Sequence, residues 1–318
     1  MSSNILVVAE HVNGTIDDIT FELLGKGREL ADDGGLAVAL LGGGSDLAGQ
    51  LGKADRVLHV DHPALADFNP QTCAAALGAV IEQARPTLVL VGNTSVGMDL
   101  AVAAAVQNKL PLVAYATDIV IENGKTVATS QLYGGKVYAE SVIDKDAGIV
   151  SVLAGSFPTD AGRSDGTPEV VAVTAPDGLD GGTVTFKGLI KPEGGDVDIT
   201  QHEVLVAVGR GIQNKDNIPL TEELATALGG VVCSSRPIVD NKWLPKTRQV
   251  GKSGLKVKPK IYVMLGISGA PEHMEGMKDA ELIIAVNTDE TAPIFEHAHY
   301  GTTEDIFDLV PALTERLQ

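Results

Sequence analysis

Ile261-Tyr262-Val263-Met264-Leu265 runs directly into Gly266-Ile267-Ser268-Gly269-Ala270-Pro271-Glu272-His273. The first five residues form a short continuous apolar run, the pattern of a parallel strand covered on both faces. The glycines that end it let the main chain approach a ligand closely, Ser268 offers a hydrogen bond, and His273 adds an imidazole within the same segment. A lone histidine is more often a satisfied core residue. Here the glycine turn, together with Asn287 and Asp289 after the next apolar run, favours a ligand-facing role.

Working outward, Val204–Val208, Val231–Ser234 and Leu282–Val286 repeat the buried-strand pattern. Each is followed at once by glycine or polar residues: Gly209-Arg210-Gly211, Ser235-Arg236 and Asn287-Thr288-Asp289. In an open parallel sheet the loops after the strand C-termini share one edge, so the chemistry of this half gathers on one rim. Thr221–Leu228 reads as a helix stopped by Gly229-Gly230. Gly209–Gly211 lacks the third glycine of a Rossmann fingerprint, which argues against an NAD-dependent enzyme of that type. A tight turn and a phosphate contact remain equal readings of it, with Arg210 suited to a pyrophosphate.

The N-terminal half reads as βα units. Ile5–Ala9, Ala37–Leu41, Val57–Val60 and Thr87–Val91 are apolar runs, with helical patterns at Ile19–Leu30, Cys73–Gln83 and Met98–Gln107. Ile119–Ile121, Thr126–Leu132, Lys136–Val142 and Ile149–Leu153 then alternate or are β-branched, and the pairs Asn123-Gly124 and Gly134-Gly135 suit antiparallel hairpins. From Pro158 to about Thr200 the chain is rich in Gly, Pro, Asp and Thr, with one short strand at Val170–Thr174, so the domain boundary is expected near Ile190–Thr200. The expected fold class is α/β, with a parallel-sheet domain over residues 1–195 and a doubly wound α/β domain over residues 196–318.

With 24 Lys and Arg against 42 Asp and Glu, the net charge is −18, which argues against nucleic acid, because phosphate binding needs a basic surface. No apolar run approaches the roughly 20 residues that span a bilayer, so no membrane insertion is expected. Met1-Ser2-Ser3-Asn4 has no signal-peptide or transit pattern, and a cytoplasmic location is expected. Cys73 and Cys233 are isolated, which points away from a disulfide framework or a zinc site. No Ser-His-Asp order, activated cysteine or metal cluster stands out for substrate chemistry.

Several segments carry a family resemblance in order and spacing over about Val204–Leu317. They are Gly209-Arg210-Gly211, Ser235-Arg236-Pro237, Gln249-Val250-Gly251-Lys252-Ser253-Gly254, Leu265–Ala270, His273 through Asp279, Ile284–Asn287, Pro293-Ile294-Phe295 and Val310–Thr314. Together they resemble the alpha subunit of electron transfer flavoproteins. Val8-Ala9-Glu10-His11 and the βα pattern extend the likeness more loosely into the first domain.

The resemblance implies an FAD held mainly by the second domain and a beta subunit completing a heterodimer. It implies electron carriage from acyl-CoA-type or other dehydrogenases to a partner such as a quinone oxidoreductase. An electron-bifurcating, NADH-using complex is the alternative. Mapped by position, the flavin contacts fall on Arg210, Ser235, Arg236, Val250, Gly251, Lys252, Ser253, Ser268, Gly269, Ala270, Pro271, Glu272, His273, Asn287, Asp305 and Ile306. Arg236 is expected over the isoalloxazine ring, Ser253 at its N5 edge and His273 on its O2 side, with Asn287 and Asp305 at the adenosine end. Charge developing at N1 and O2 would be stabilised by His273 and Arg236; a unit charge about 4 Å away is worth at most ~4 kcal/mol at a dielectric near 20, or on the order of 180 mV. Lys252 and Glu272 stand where the family commonly has glutamine, and Pro271 where it has an aliphatic residue. Each charge alone would bias the redox couple, and the pair is expected to neutralise one another in part. Ser253 replaces a common threonine and keeps the hydroxyl. His299 stands where the family usually has aspartate and reads as a surface residue.

Overall fold

The structure is a computed structural model describing residues 4–12, 14–32, 34–133, 136–181, 183–188 and 197–317. The chain divides into two compact units, residues 1–188 and 189–318. The boundary expected at residue 195 lies outside the described residues.

The first unit contains strands β1 (Ile5–Val8), β2 (His11–Val12), β3 (Thr15–Ile16), β4 (Leu36–Leu41), β5 (Arg56–Val60), β6 (Leu88–Gly92), β7 (Leu112–Glu122), β8 (Lys125–Leu132), β9 (Val137–Ile143), β10 (Gly148–Val152) and β11 (Glu169–Ala172). Its helices are α1 (Asp18–Ala31), α2 (Ser45–Ala48), α3 (Pro70–Ala84) and α4 (Gly97–Asn108). Nine strands form one sheet in the order β11-β5-β4-β1-β6-β10-β7-β8-β9, and β2 and β3 make a separate small hairpin. Strand β1 explains why its sequence is apolar without alternation. Ile5 and Val7 pack with the α1 residues Ile19, Leu23 and Leu24 on one face, while Leu6 and Val8 pack with Leu77 and Val80 of α3 and Leu100 and Ala104 of α4 on the other. The helix starts are capped as their sequences dictate: Asp17 accepts from Ile19 N–H, and Asn69 accepts from Gln71 and Thr72 N–H ahead of Pro70.

Asn123 (φ 51°) and Gly124 (φ 76°) join β7 to β8 as the expected two-residue hairpin turn, and β9 continues the antiparallel ribbon. Gly134-Gly135 lies outside the described residues. Strand β10, the last of that alternating or β-branched series, joins no hairpin and runs parallel to both β6 and β7. All five of its residues are buried, so its apolar run is a two-sided interior strand, with no solvent face to produce alternation. Strand β7 therefore serves both halves, parallel to β10 along Leu112–Ala116 and antiparallel to β8 beyond, with Tyr115 at φ 58° at the irregularity between them.

Just beyond β1, where the strand order reverses between β1 and β6, lies Glu10. Its side chain fills the space that Gly92 and Gly97 leave, since a Cβ at either would sit 2.5 or 2.8 Å from Oε1. Thr94 Oγ1 donates to Oε2 at 2.6 Å, and Oε1 has no hydrogen-bond partner among the described residues. Burial, aided by the nearby Asp17 charge and opposed by the Thr94 bond, pushes the carboxyl pKa up to about 7.

The second unit is a five-stranded, wholly parallel sheet in the order β13-β12-β14-β15-β16, built from β12 (Val204–Val208), β13 (Val231–Ser234), β14 (Ile261–Leu265), β15 (Leu282–Val286) and β16 (Tyr300–Thr302). Helices α5 (Ile218–Ala227) and α8 (Ile306–Leu317) bury Ile218, Leu224, Ile306 and Val310 against one face. The other face, through Leu205, Ala207, Tyr262 and Met264, is covered by the segment containing Val250 and Val257 and by Met274, at the end of the short helix α7 (Pro271–Met274). A further short helix, α6 (Arg236–Asp240), follows β13. One face is thus covered by long helices and the other by loops and a short helix.

Candidate functional site

The order β13-β12-β14 reverses direction between β12 and β14, the point at which open α/β sheets bind ligands. The loops after those two strands interlock there through main chain alone. Gly209 N–H donates to Leu265 O at 2.9 Å and Gly211 N–H to Gly266 O at 3.0 Å. A Cβ on Gly209 would lie 2.4 Å from Gly266 O, and one on Gly266, which is at φ 62°, would lie 2.5 Å from the Gly211 Cα. These glycines are required by mutual backbone approach, so the equal readings of the Gly-Arg-Gly turn resolve into a tight turn that also carries Arg210 to the rim.

A cavity of about 990 Å³ opens at this reversal, at the upper end of the usual ligand-pocket range of ~300–1,000 Å³. Its wall includes Arg210, Ser235, Arg236, Val250, Gly251, Lys252, Ser253, Ser268, Ala270, Glu272, His273, Asn287, Asp305 and Ile306. Gly269 and Pro271 stand behind the wall. Gly269, at φ 88°, would place a Cβ 2.3 Å from Ile294 N, and Pro271 is the first residue of α7. Sequence reading missed Gln213 and Ala292. Gln213 ends the turn after β12 at φ 69°, a conformation that a glutamine gives no hint of.

Each wall segment is held by identifiable bonds. Ser235 precedes α6 and bonds through its N–H to Val208 O, setting Arg236 at the helix start. The loop at 250–254 is clamped to α7: Lys252 N–H donates to Glu272 O at 2.7 Å, and Gly251, at φ 130°, leaves a Cβ position 2.6 Å from the same oxygen. Buried Gln249 donates from Nε2 to Ser253 Oγ at 3.1 Å, so that hydroxyl retains its own proton for a ligand. Asn287 donates from Nδ2 to Ile267 O and accepts from Asp289 N–H, each at 2.9 Å, which ties together the loops after β14 and β15. Asp305 accepts from Phe307 N–H at 2.9 Å and caps α8, whose N-terminus therefore opens on the rim.

Arg210, Arg236 and Lys252 are the cations of the wall, facing the acids Glu272, Asp289 and Asp305. Arg236 is 68% exposed and its Nε lies 3.2 Å from Asp240 Oδ2, so its field is screened by water and by a neighbour. The side chains of Lys252 and Glu272 form no ion pair among the described residues, and only their backbones bond. Burial lowers the His273 pKa to about 4, against the opposing effect of its bond to Val250, so at neutral pH it is an uncharged imidazole, and the stabilisation expected from it at N1 and O2 would come from its polar edge and not from a full charge. Its Nδ1 lies 3.2 Å from Val250 O and its Nε2 3.2 Å from Tyr262 Oη.

Residues 5–178 match the Electron transfer flavoprotein domain, and residues 198–278 match the Electron transfer flavoprotein FAD-binding domain. The chain belongs to the electron transfer flavoprotein alpha family. It is 32% identical to electron transfer flavoprotein subunit alpha of Bacillus subtilis, over 100% of this chain and 98% of that one. Identity is 35% with the acryloyl-CoA reductase electron transfer subunit beta of Anaerotignum propionicum (99% and 95% covered). It is 33% with the lactate dehydrogenase (NAD(+),ferredoxin) subunit LctC of Acetobacterium woodii (99% and 77% covered). As the alpha-family FAD-binding domain, the second unit takes FAD as its cofactor. Its cavity size, its glycine-only main-chain cradle, the α8 N-terminus and three wall cations fit a dinucleotide whose pyrophosphate is anionic. Among the described residues no helix is long and apolar enough to cross a membrane.

Proposed function

We propose that this chain is the FAD-holding alpha subunit of a heterodimeric electron carrier, which takes electrons from a dehydrogenase and delivers them to a second redox partner such as a quinone oxidoreductase. The observation that carries this reading is the cavity at the strand-order reversal, where interlocked glycine turns meet Arg210, Arg236 and Lys252. When bound, FAD supplies the electron-transfer chemistry; the protein supplies binding, orientation and field. Arg210, beside the main-chain cradle, suits the pyrophosphate. Arg236 and Lys252 bias the ring toward accepting electrons, and Glu272 opposes them. Ser253 offers a hydrogen-bond donor, and Asp305 and Ile306 at the start of α8 suit the adenosine end. His273 contributes a neutral polar edge and no charge.

The partner in this reading is a beta subunit, in keeping with the alpha-subunit names of the relatives. The test is the absorption spectrum of the chain purified with its partner. Oxidised flavin bands are expected, and a colourless complex that cannot take up added FAD would refute the reading. A second reading, an electron-bifurcating complex that uses NADH, is favoured by likeness to a relative named for NAD(+) and ferredoxin. A dithionite titration of the heterodimer with and without NADH separates the two, because only the bifurcating complex is reduced by NADH.

A further inference from the structure

Beneath the cavity wall runs a buried polar chain with no counterpart in the sequence reading. Cys233 Sγ of β13 lies 3.6 Å from Tyr262 Oη of β14, which lies 3.2 Å from His273 Nε2 of α7, and His273 Nδ1 lies 3.2 Å from Val250 O. Tyr262 and Cys233 are both 0% exposed, and His273 is 5% exposed. Donor and acceptor roles follow from elementary chemistry. A carbonyl oxygen can only accept, so Nδ1 carries the proton and donates to Val250. Nε2 of a neutral ring then holds a lone pair, and the Tyr262 hydroxyl donates to it. The phenolic oxygen in turn accepts from the Cys233 thiol. Every contact has one donor and one acceptor, and the chain runs one way from the sheet to the loop that begins at Val250.

We propose that Tyr262 is the positioning residue that, by donating to Nε2, holds the His273 ring in the orientation its Nδ1–H bond to Val250 requires and, through that bond, holds the loop at 250–253 against the ligand cavity. The proposal rests on the reading that this rim holds FAD. Val250 links the two, because its carbonyl anchors the ring while the next three residues line the cavity. Without the phenol hydroxyl, Nε2 would be left unpaired in the interior. The ring would then gain by turning Nε2 toward the cavity, where water can pair it, and that turn breaks the bond to the loop. The groups facing the chain hold no competing charge in contact with the imidazole. From β13 there is the Cys233 thiol, with Arg248 acting on it from beyond, and from the loop and α7 come Lys252 and Glu272, neither ion-paired to the ring. The imidazole therefore works as a neutral tie of defined orientation, and Tyr262 decides which way it points.

The test is selective ¹⁵N-histidine labelling of the full chain co-expressed with its partner subunit, with His273 assigned by loss of its signals in His273→Gln. The expected wild-type spectrum is a neutral ring protonated at Nδ1, unchanged from about pH 5.5 to about pH 8. Tyr262→Phe is expected to move the Nε2 resonance from that of a hydrogen-bonded acceptor to that of an unpaired or water-exposed nitrogen, to let the ring titrate about one unit higher, and to weaken FAD binding about tenfold. Cys233→Ser keeps a donor to the phenol and is expected to retain the wild-type ring pattern. A wild-type ring protonated at Nε2 would overturn the proposal, as would a ring pattern that Tyr262→Phe leaves unaltered. Should Tyr262→Phe fail to fold, the wild-type Nε2 shift decides: a hydrogen-bonded acceptor nitrogen supports the proposal, and an unpaired one overturns it. The ring spectrum does not require bound flavin, so a colourless complex with an Nδ1-protonated ring would refute the FAD reading and leave the Tyr262–His273 assignment standing.

Discussion

Replacing Glu10 by glutamine should change the pH dependence of stability in a defined window. The folded state raises this carboxyl from its ordinary 4.5 to about 7, so between those values the folded protein holds a proton that the unfolded chain has released. Folding is then favoured by acid: the contribution is fully present below pH ~4.5, is lost as pH rises through ~7, and is flat above. Each unit of separation is worth about 1.4 kcal/mol, so the difference amounts to about 3 kcal/mol of stability lost between pH ~5 and pH ~8. Glutamine has the same shape and does not titrate. Glu10→Gln should therefore gain about 3 kcal/mol relative to wild type across that window, on top of a constant offset from the changed hydrogen bonding with Thr94. The protein's one tryptophan, Trp243, lies in the second unit, so its fluorescence would not follow the event. Hydrogen exchange of the β1 amides Leu6 to Val8, measured at several pH values, reads the first unit directly. Parallel pH profiles for wild type and Glu10→Gln would refute the reasoning, because they would mean that Glu10 is ionised in the folded state throughout.

Arg236→Ala should lower the flavin reduction potential. At 68% exposure the water-like limit applies, about 1 kcal/mol at about 4 Å or about 45 mV, well under the buried-charge ceiling of ~180 mV; spectroelectrochemistry on the heterodimer checks this, and an unaltered potential removes Arg236 from the tuning. Gly266→Ala should abolish FAD retention and cost more than about 2 kcal/mol of stability, because its methyl would overlap the Gly211 main chain at a positive φ; flavin content and urea unfolding report both effects. Asn287→Ala should weaken FAD binding about tenfold by releasing the loops after β14 and β15, and equal affinity by fluorescence titration would argue against that tie. Cys233, whose pKa burial pushes up to about 12, should resist thiol reagents in the folded protein and react only on unfolding.

What could be read in the sequence was whatever the main chain demands. Strands buried on both faces have to be apolar throughout, which made β1, β4, β6, β12, β14 and β15 visible. Turns in which backbones touch have to be glycine, which exposed the rim at Gly209, Gly211 and Gly266. The direction of β10 was hidden because a buried five-residue strand carries no sign of its neighbours. Strand β16, only Tyr300-Gly301-Thr302, has no apolar run, and Pro311 inside α8 obscured a helix whose Ile306, Val310 and Thr314 keep helical spacing. The protonation of His273 was not legible either. It depends on burial, against the bond to Val250, which lies 23 positions away and meets the ring only in the folded unit.

The interlocked glycine turns at the strand reversal also separate two jobs that many binding sites combine. Because the frame gripping the dinucleotide is made of peptide groups, it is indifferent to the side chains mounted around it. Under the proposed function, positions such as 252 and 272 can then change sign and trim the voltage at which a carrier works while the frame itself stays the same.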